Sequence, residues 1–294
     1  MKFLNYLISG ISLGSVYAII ALGYTMVYGI AKMLNFAHGD VIMVGAYSVF
    51  MLMTAAAMPA PVAILLSMVI CTLLGVTIER IAYRPLRGAA SSLAVLITAI
   101  GVSYLLQNLA LLVFGSNPKS FSSVIPLPAL KLAGGELVIS SETIVTILAS
   151  LVIVFGLSMF ISRTKPGQAM LAVSEDQGAA KLMGINVNGT IALTFAIGSA
   201  LATIAGVLLC SSYPVLSPTT GSMPGIKAFV AAVFGGIGSI PGAMIGGILL
   251  GVIEIFGKAY ISSQMADAIV FAVLIIVLLV KPTGILGKPI REKV

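Results

Sequence analysis

Six consecutive residues, Asn35-Phe36-Ala37-His38-Gly39-Asp40, set an amide, an imidazole and a carboxylate together between two long apolar runs. His38 is the only histidine in the chain. An imidazole two positions from a carboxylate, with an amide nearby, has three uses. It could relay protons. It could line the path of a polar solute, because ionisable residues within membrane segments mark such paths. It could satisfy backbone groups freed where a helix breaks. The same inventory excludes other chemistry. An intramembrane enzyme needs paired groups at depth, such as two aspartates, His-x-x-x-His, or serine with lysine or histidine. One histidine and no carboxylate pair within the apolar runs cannot supply them. Cys71 and Cys210 both lie in apolar runs without metal-ligand spacing, so they read as small buried hydrophobes and no metal site is expected.

The elements that must position these residues are membrane helices. Of the 294 residues, 59% are hydrophobic and only 9% charged, with mean hydropathy +1.15. A soluble domain carries about 25% charged residues. Residues 3–31, 41–78, 88–118, 143–162, 182–226 and 228–253 contain no Asp, Glu, Lys or Arg. A spanning helix needs about 20 apolar residues, so several of these runs are long enough for more than one pass. Alternation of the β-barrel kind is missing from runs such as IVTILASLVIVFGL. The sequence therefore predicts an all-α, polytopic transmembrane bundle, one domain over 1–294. Helices are expected over 4–30, 40–57, 61–82, 91–114, 142–162, 189–211, 226–238, 242–260 and 266–281, with one or more elements broken or re-entrant. The first apolar run lacks a small-residue cleavage site and is expected to stay as a span.

The net charge of +7 does not point to nucleic acid, because the basic residues sit in short breaks between apolar runs. They act as orientation signals instead. Arg80, Arg84 and Arg87, then Arg163, Lys165 and Lys181, then Lys281, Lys288, Arg291 and Lys293 place three regions, the C-terminus among them, on the cytoplasmic side. The loop 115–141, richer in Ser and Pro, falls outside. Two counts remain open. A full crossing by 40–57 gives nine spans with the N-terminus outside. A re-entrant 31–57 gives eight with Lys2 inside, which Lys2 and the α-amino group favour. No GxxxxGK[ST] phosphate loop occurs, so any uphill transport draws on an ion gradient or on another subunit.

Between two spans lies the polar segment 162–189. Its core, GQAMLAVSEDQGAAKLMG, reads as one helix ending at Gly184, with Glu175, Asp176 and Lys181 as its charges. Such a helix suits a partner's groove, or it lies on the membrane surface as an amphipathic connector. Ala179-Ala180-Lys181-Leu182-Met183-Gly184 is similar to the Ala-Ala-x-x-x-Gly of the "EAA" loop by which ABC-importer permeases dock on their ATPase, with Gly178 where that motif has Glu. Residues 14–47, GSVYAIIALGYTMVYGIAKMLNFAHGDVIMVGAY, closely resemble the signature of LivH-type permeases of branched-chain amino acid ABC importers, as do YRPLRG at 83–88 and AAVFGGIGSIPGAMIGG at 231–247. The resemblance runs from about residue 5 to 288. It implies a multi-pass protein of the bacterial inner membrane, working by alternating access beside a second related permease chain. Two cytoplasmic ATPases would use the ATP, with no cofactor on this chain, and a periplasmic or lipid-anchored binding protein would deliver the solute. Residues 163–188, with Glu175, Asp176, Ala179, Ala180, Lys181 and Gly184, would be the coupling loop. Similar permeases carry urea and short amides, so the solute stays open. A self-sufficient carrier or channel has only His38 and Asp40 to offer for coupling, close to Lys32.

Two readings of Asn35, His38, Gly39 and Asp40 follow. In one they line the translocation pathway or its gate. In the other they repair a helix break, Asp40 serving as N-cap of the next helix. Gly235, Gly236, Gly238, Pro241, Gly242 and Gly246 either allow close helix packing or form a re-entrant hairpin turning at SIPG. Glu254 and Lys258, spaced i,i+4, are expected to pair near the outer surface without a transport role. Tyr17, Tyr24, Tyr28 and Tyr47 read as packing or interface aromatics.

Overall fold

The computed structural model describes residues 2–87, 92–125, 127–132 and 137–287. Gly88, Lys288, Arg291 and Lys293, used above in the loop and charge readings, lie outside the described residues. The chain order is α1 (Lys2–Ala31), α2 (His38–Thr54), α3 (Ala60–Ile78), α4 (Ser92–Phe114), α5 (Ser141–Arg163), α6 (Lys165–Glu175), α7 (Gln177–Leu182), α8 (Val187–Ser212), α9 (Ser222–Gly235), α10 (Ile240–Tyr260) and α11 (Ala266–Val280). A π-helical turn at Glu79–Tyr83 and a short 3-10 turn at Arg84–Leu86 extend α3. The nine expected helices are all present. Six are long and apolar enough to cross a membrane, while α2, α9 and α11 are shorter.

Helix ends follow local chemistry. Ser140, Thr164, Asp176, Asn186 and Ser239 each accept a bond from the backbone N–H three residues on, starting α5, α6, α7, α8 and α10. Such a cap contributes about 1 kcal/mol. The cap at Asp176 corrects the expectation of one helix ending at Gly184. The carboxylate takes the Ala179 N–H at 2.9 Å, so the segment divides into α6 and α7. Gly184 does end it, at φ +82.

Burial separates the centre from the lipid face. In α1 and α8, 72% and 78% of the apolar window is buried, against 11% in α4. Leu65, Leu73, Leu112, Phe155 and Leu279 stand exposed on the outer helices, where lipid is the solvent for such side chains. At the centre, α1 and α10 run antiparallel in near backbone contact. A Cβ at Gly247 would lie 2.6 Å from the Ala18 Cα, one at Gly14 2.6 Å from the Ile248 Cα, and one at Gly10 2.8 Å from the Val252 Cα. The other small face of α10 meets α9, where a Cβ at Gly246 would lie 2.9 Å from the Gly235 nitrogen. The 235–247 glycines pack closely, and the chain reverses at the end of the bundle through Gly236 and Gly238, both at positive φ, before Ser239 caps α10, a helix long enough to cross a membrane.

The antiparallel pairs fix which elements share an end. Gly29 approaches Gly238, Arg87 donates to Asn188 at 2.7 Å, and the N–H groups of Ile285 and Leu286 bond Phe234 and Gly235. One end of the bundle thus carries α6, α7, the α9–α10 turn, the described basic residues of all three regions, and Lys32. At the opposite end, Phe3 packs on Phe256 and Tyr6 on Tyr260. There also β1 (Lys119–Ser120) pairs antiparallel with β4 (Val215–Leu216), and β2 (Leu130–Leu132) with β3 (Leu137–Ile139). Lys2 and residue 287 therefore lie at opposite ends, as an odd number of passes requires. The charge of Lys2 is outweighed by α1–α10 packing.

Gly247→Val puts three heavy atoms where none fit, and overpacking costs of order 1–3 kcal/mol or more. Gly101, on α4, has no atom within 4 Å of a built Cβ. Gel filtration and thermal melting in detergent should show Gly247→Val losing the monodisperse peak and Gly101→Val keeping it.

Candidate functional site

After α1 the chain does not leave the bundle and return. Lys32, exposed and at φ 55, turns it back. Residues 32–37 then run without helix into the protein, and α2 begins at His38 beside Gly23, about two turns inside the end of α1. The depth of the cluster is therefore interior, although Lys32 is at the surface. Asn35, His38, Gly39 and Asp40 are all buried.

Each side chain has a defined place. The Asn35 Oδ1 accepts from the Tyr83 hydroxyl at 2.9 Å, tying the break to the end of α3. The His38 ring fills the space left by Gly23 and meets Tyr24 edge-on at 4.8 Å. Asp40 is not the N-cap. Ala37 holds that position without a side-chain bond, and Asp40 lies in the first turn of α2. There a carboxylate is favoured by the helix dipole. Its Oδ1 accepts from Gln107 Nε2 of α4 at 2.9 Å, and the same nitrogen lies 3.3 Å from the Ser222 and Ser103 hydroxyl oxygens.

Ser222 opens α9, and this brings a second helix start to the same place. A Cβ at Gly39 would lie 2.7 Å from the Gly221 carbonyl oxygen, and one at Gly225 2.8 Å from the Gly39 Cα. Only glycine on both sides permits that crossing. Like α2, α9 starts without a side-chain cap. At 14 residues it is roughly 21 Å long, short of a hydrocarbon core of about 30 Å. The non-helical stretch 213–221 makes up the difference, reaching in from the β-strand end. The broken elements are thus 32–37 with α2 and 213–221 with α9, and two helix N-termini meet inside the bundle.

Towards the α6–α7 end the junction is closed. Phe229 packs on Phe36 at 5.7 Å and on Tyr24 at 5.8 Å, leaving a narrow crevice beside Tyr28, Leu34 and Asn35. Tyr47 stacks on Phe114 at 4.1 Å, a packing role as expected.

Charges brace both ends. At the α6–α7 end buried Glu79 accepts from Arg84 at 3.0 Å and also from Arg87. Burial draws the Arg87 guanidinium below its ordinary value, and the carboxylate opposes this. At the other end Glu254 and Lys258 pair at 2.6 Å as expected. The pair is part of a larger cluster. Lys227 of α9 reaches Glu254 at 2.8 Å and Asp267 at 2.6 Å, and the Tyr17 hydroxyl donates to Glu254 at 2.8 Å. Sequence spacing hides these partners, which lie 27 and 237 positions from Glu254. The available signal was that Lys227 is the one charge between residues 182 and 253.

The residues expected to form a coupling loop divide by burial. Ala180 is buried, while Glu175, Asp176, Ala179, Lys181 and Gly184 are exposed. Leu182 and Met183, at 90% and 82% exposure, form an apolar tip at the end of α7.

Gln107→Leu should strip a charge-assisted bond worth about 1.5–3 kcal/mol from the Asp40 carboxylate. Thermal melting in detergent should show that loss, and Asp40→Leu combined with Gln107→Leu should recover part of it, because neither partner then remains unpaired.

The family model described as branched-chain amino acid transport system / permease component matches residues 6–278. The high-affinity branched-chain amino acid transport system permease protein BraD of Pseudomonas aeruginosa is 48% identical over 305 residues, covering 99% of this chain and 98% of its own. The corresponding LivH protein of Salmonella typhimurium is 47% identical over 315 residues, covering 100% and 98%. A probable LivH permease of Methanocaldococcus jannaschii is 28% identical over 284 residues, covering 92% and 88%. With a family match over nearly its whole length and relatives this similar, the chain belongs to the permease components of branched-chain amino acid transport systems.

Proposed function

We propose that this permease carries branched-chain amino acids across the bacterial inner membrane as one subunit of an ATP-driven importer, with its C-terminus in the cytoplasm. The observation that carries the mechanism is the interior junction of α2 and α9, shut towards the α6–α7 end by Phe36, Phe229 and Tyr24. A path closed at one end is what alternating access requires of one of its two states. The Asn35–Asp40 break and the start of α9 offer backbone amides and polar side chains to a zwitterion at the depth where hydrocarbon would offer none.

The chain makes and breaks no covalent bonds in this reading. A second permease chain completes the pathway, two cytoplasmic ATPases hydrolyse ATP, and a solute-binding protein loads the other end. The exposed Leu182–Met183 tip, held on α7 by the Asp176 cap, is the contact through which the ATPases pull. Glu79 with Arg84 and Arg87, bound through Asn188 to the start of α8, transmits that pull to α3 and α8.

Reconstitution with the partner subunits tests both parts. Proteoliposomes should take up L-leucine and L-valine when ATP is inside, and uptake of urea in their place would overturn the solute assignment. Leu182→Asp with Met183→Asp should leave the purified permease folded but lower ATPase recovery and uptake at least about tenfold, the effect of about 1.4 kcal/mol. Normal uptake by that variant would remove the coupling role from the tip.

A further inference from the structure

The ion cluster at the β-strand end borders a cavity of about 290 Å³, close to the lower size of small-molecule sites, about 300 Å³. Its floor is Thr220, Met223 and Pro224, at the uncapped start of α9. One wall is polar, with Lys227, Glu254, Lys258 and the Tyr17 hydroxyl. The other is apolar, with Leu13, Leu209 and Val215. On the far side of the same α9 turn, Gly221 and Gly225 rest on Gly39. The cavity and the Asn35–Asp40 junction are thus separated by one helical turn.

Hydrogen-bond capacity shows what the polar wall has left to offer. An ammonium has three donors, and a carboxylate has about four acceptor positions. Lys258 spends one donor, on Glu254 Oε1, and is 37% exposed. Glu254 Oε1 takes Lys227 and Lys258, while Oε2 takes only Tyr17. Two donors on Lys258 and one acceptor position on Glu254 Oε2 therefore remain, of opposite sign, on one turn of α10. The start of α9 adds a partial positive charge below them.

We propose that this cavity is a binding station for the solute before it enters the junction, and that it takes an α-amino acid with an apolar side chain. Lys258 holds the carboxylate over the start of α9. Glu254 Oε2 accepts from the α-ammonium. Leu13, Leu209 and Val215 receive the side chain. The Lys227–Glu254–Tyr17 bonds brace the wall of the station beside α9. This assignment rests on the amino-acid reading given under Proposed function.

The test is equilibrium binding of radiolabelled L-leucine to the purified permease–ATPase assembly without the solute-binding protein, alongside leucine uptake by the complete transporter. Leucine should bind, L-valine should compete, and isoamylamine, which lacks the carboxylate, should not. Lys258→Gln should weaken binding about tenfold or more, as loss of a charge-assisted bond does, with Lys258→Arg restoring most of it. Val215→Trp, at an exposed position on the apolar wall, should block binding without touching the ion cluster. Leucine uptake with unchanged binding in both Lys258→Gln and Val215→Trp would overturn the station and leave the transport reading standing. So would uptake by a wild-type assembly that binds no leucine. Failure of the wild-type transporter to move leucine at all would overturn the amino-acid reading and the station with it.

Discussion

A backbone N–H or C=O left unpaired in hydrocarbon costs several kcal/mol, so a membrane chain that breaks its helices must hide the breaks in protein. The architecture of this permease follows from that constraint. Its two non-helical stretches, 32–37 and 213–221, enter from opposite ends and lead to the starts of α2 and α9, which meet inside the bundle. The meeting depends on backbones touching. Gly39, Gly221 and Gly225 let the first turns of α2 and α9 cross with no side chain between them. Gly247 and Gly251 bring α10 onto α1, and Gly246 onto α9, so that the half-helix is held along its length. In lipid such contacts are favoured by packing and not by expulsion of water, which is why small residues carry them.

Charge is distributed under the same constraint. Few charged groups enter the bundle, and the buried carboxylates among the described residues are paired or bonded. Asp40 receives Gln107, Glu79 receives two arginines, and Glu254 receives two lysines and a tyrosine. A buried ion pair adds little net stability against an apolar replacement, but losing one partner is severe. Each cluster therefore works as a joint with a definite geometry. The Glu79 joint connects α3 to α8 near the α6–α7 segment. The Glu254 joint connects α1, α9, α10 and α11 at the opposite end. The alternating access proposed above needs such joints at both ends, with a weaker closure between them. Here the closure is the aromatic contact of Phe229 with Phe36 and Tyr24.

The sequence made the helices legible because apolar runs and charged breaks are direct statements of what the bilayer admits. All nine apolar helices lie within a few residues of their expected places. Close packing of the 235–247 glycines was legible for the same reason. What was not legible depended on distance along the chain. Asp40 reads as an N-cap from its neighbours, and only the placement of Gln107, 67 positions away, makes it an acceptor for α4. Lys227 and Tyr17 are unremarkable in sequence until folding brings them to Glu254. The charge of Lys2 pointed to the wrong end relative to the C-terminus, because one exposed lysine carries less weight than a helix-long contact. The division of α6 from α7 was locally encoded, in the spacing from Asp176 to Ala179, and was masked by the helix propensity of the alanines around it.

The central claim is that the meeting point of α2 and α9 lies on the solute path and is reached from alternate sides. Ser222 stands at that point, partly accessible, where a cysteine is a near-isosteric replacement. The direct measurement is the rate at which Ser222→Cys, with Cys71 and Cys210 changed to alanine, reacts with a membrane-impermeant thiol reagent added to either side of the reconstituted transporter. The account predicts reaction from the β-strand end in the resting state, and from the α6–α7 end in a nucleotide-driven state of the cycle, with L-leucine slowing both. Equal protection from both sides in every nucleotide state would contradict it, leaving the junction as structural support with the path elsewhere.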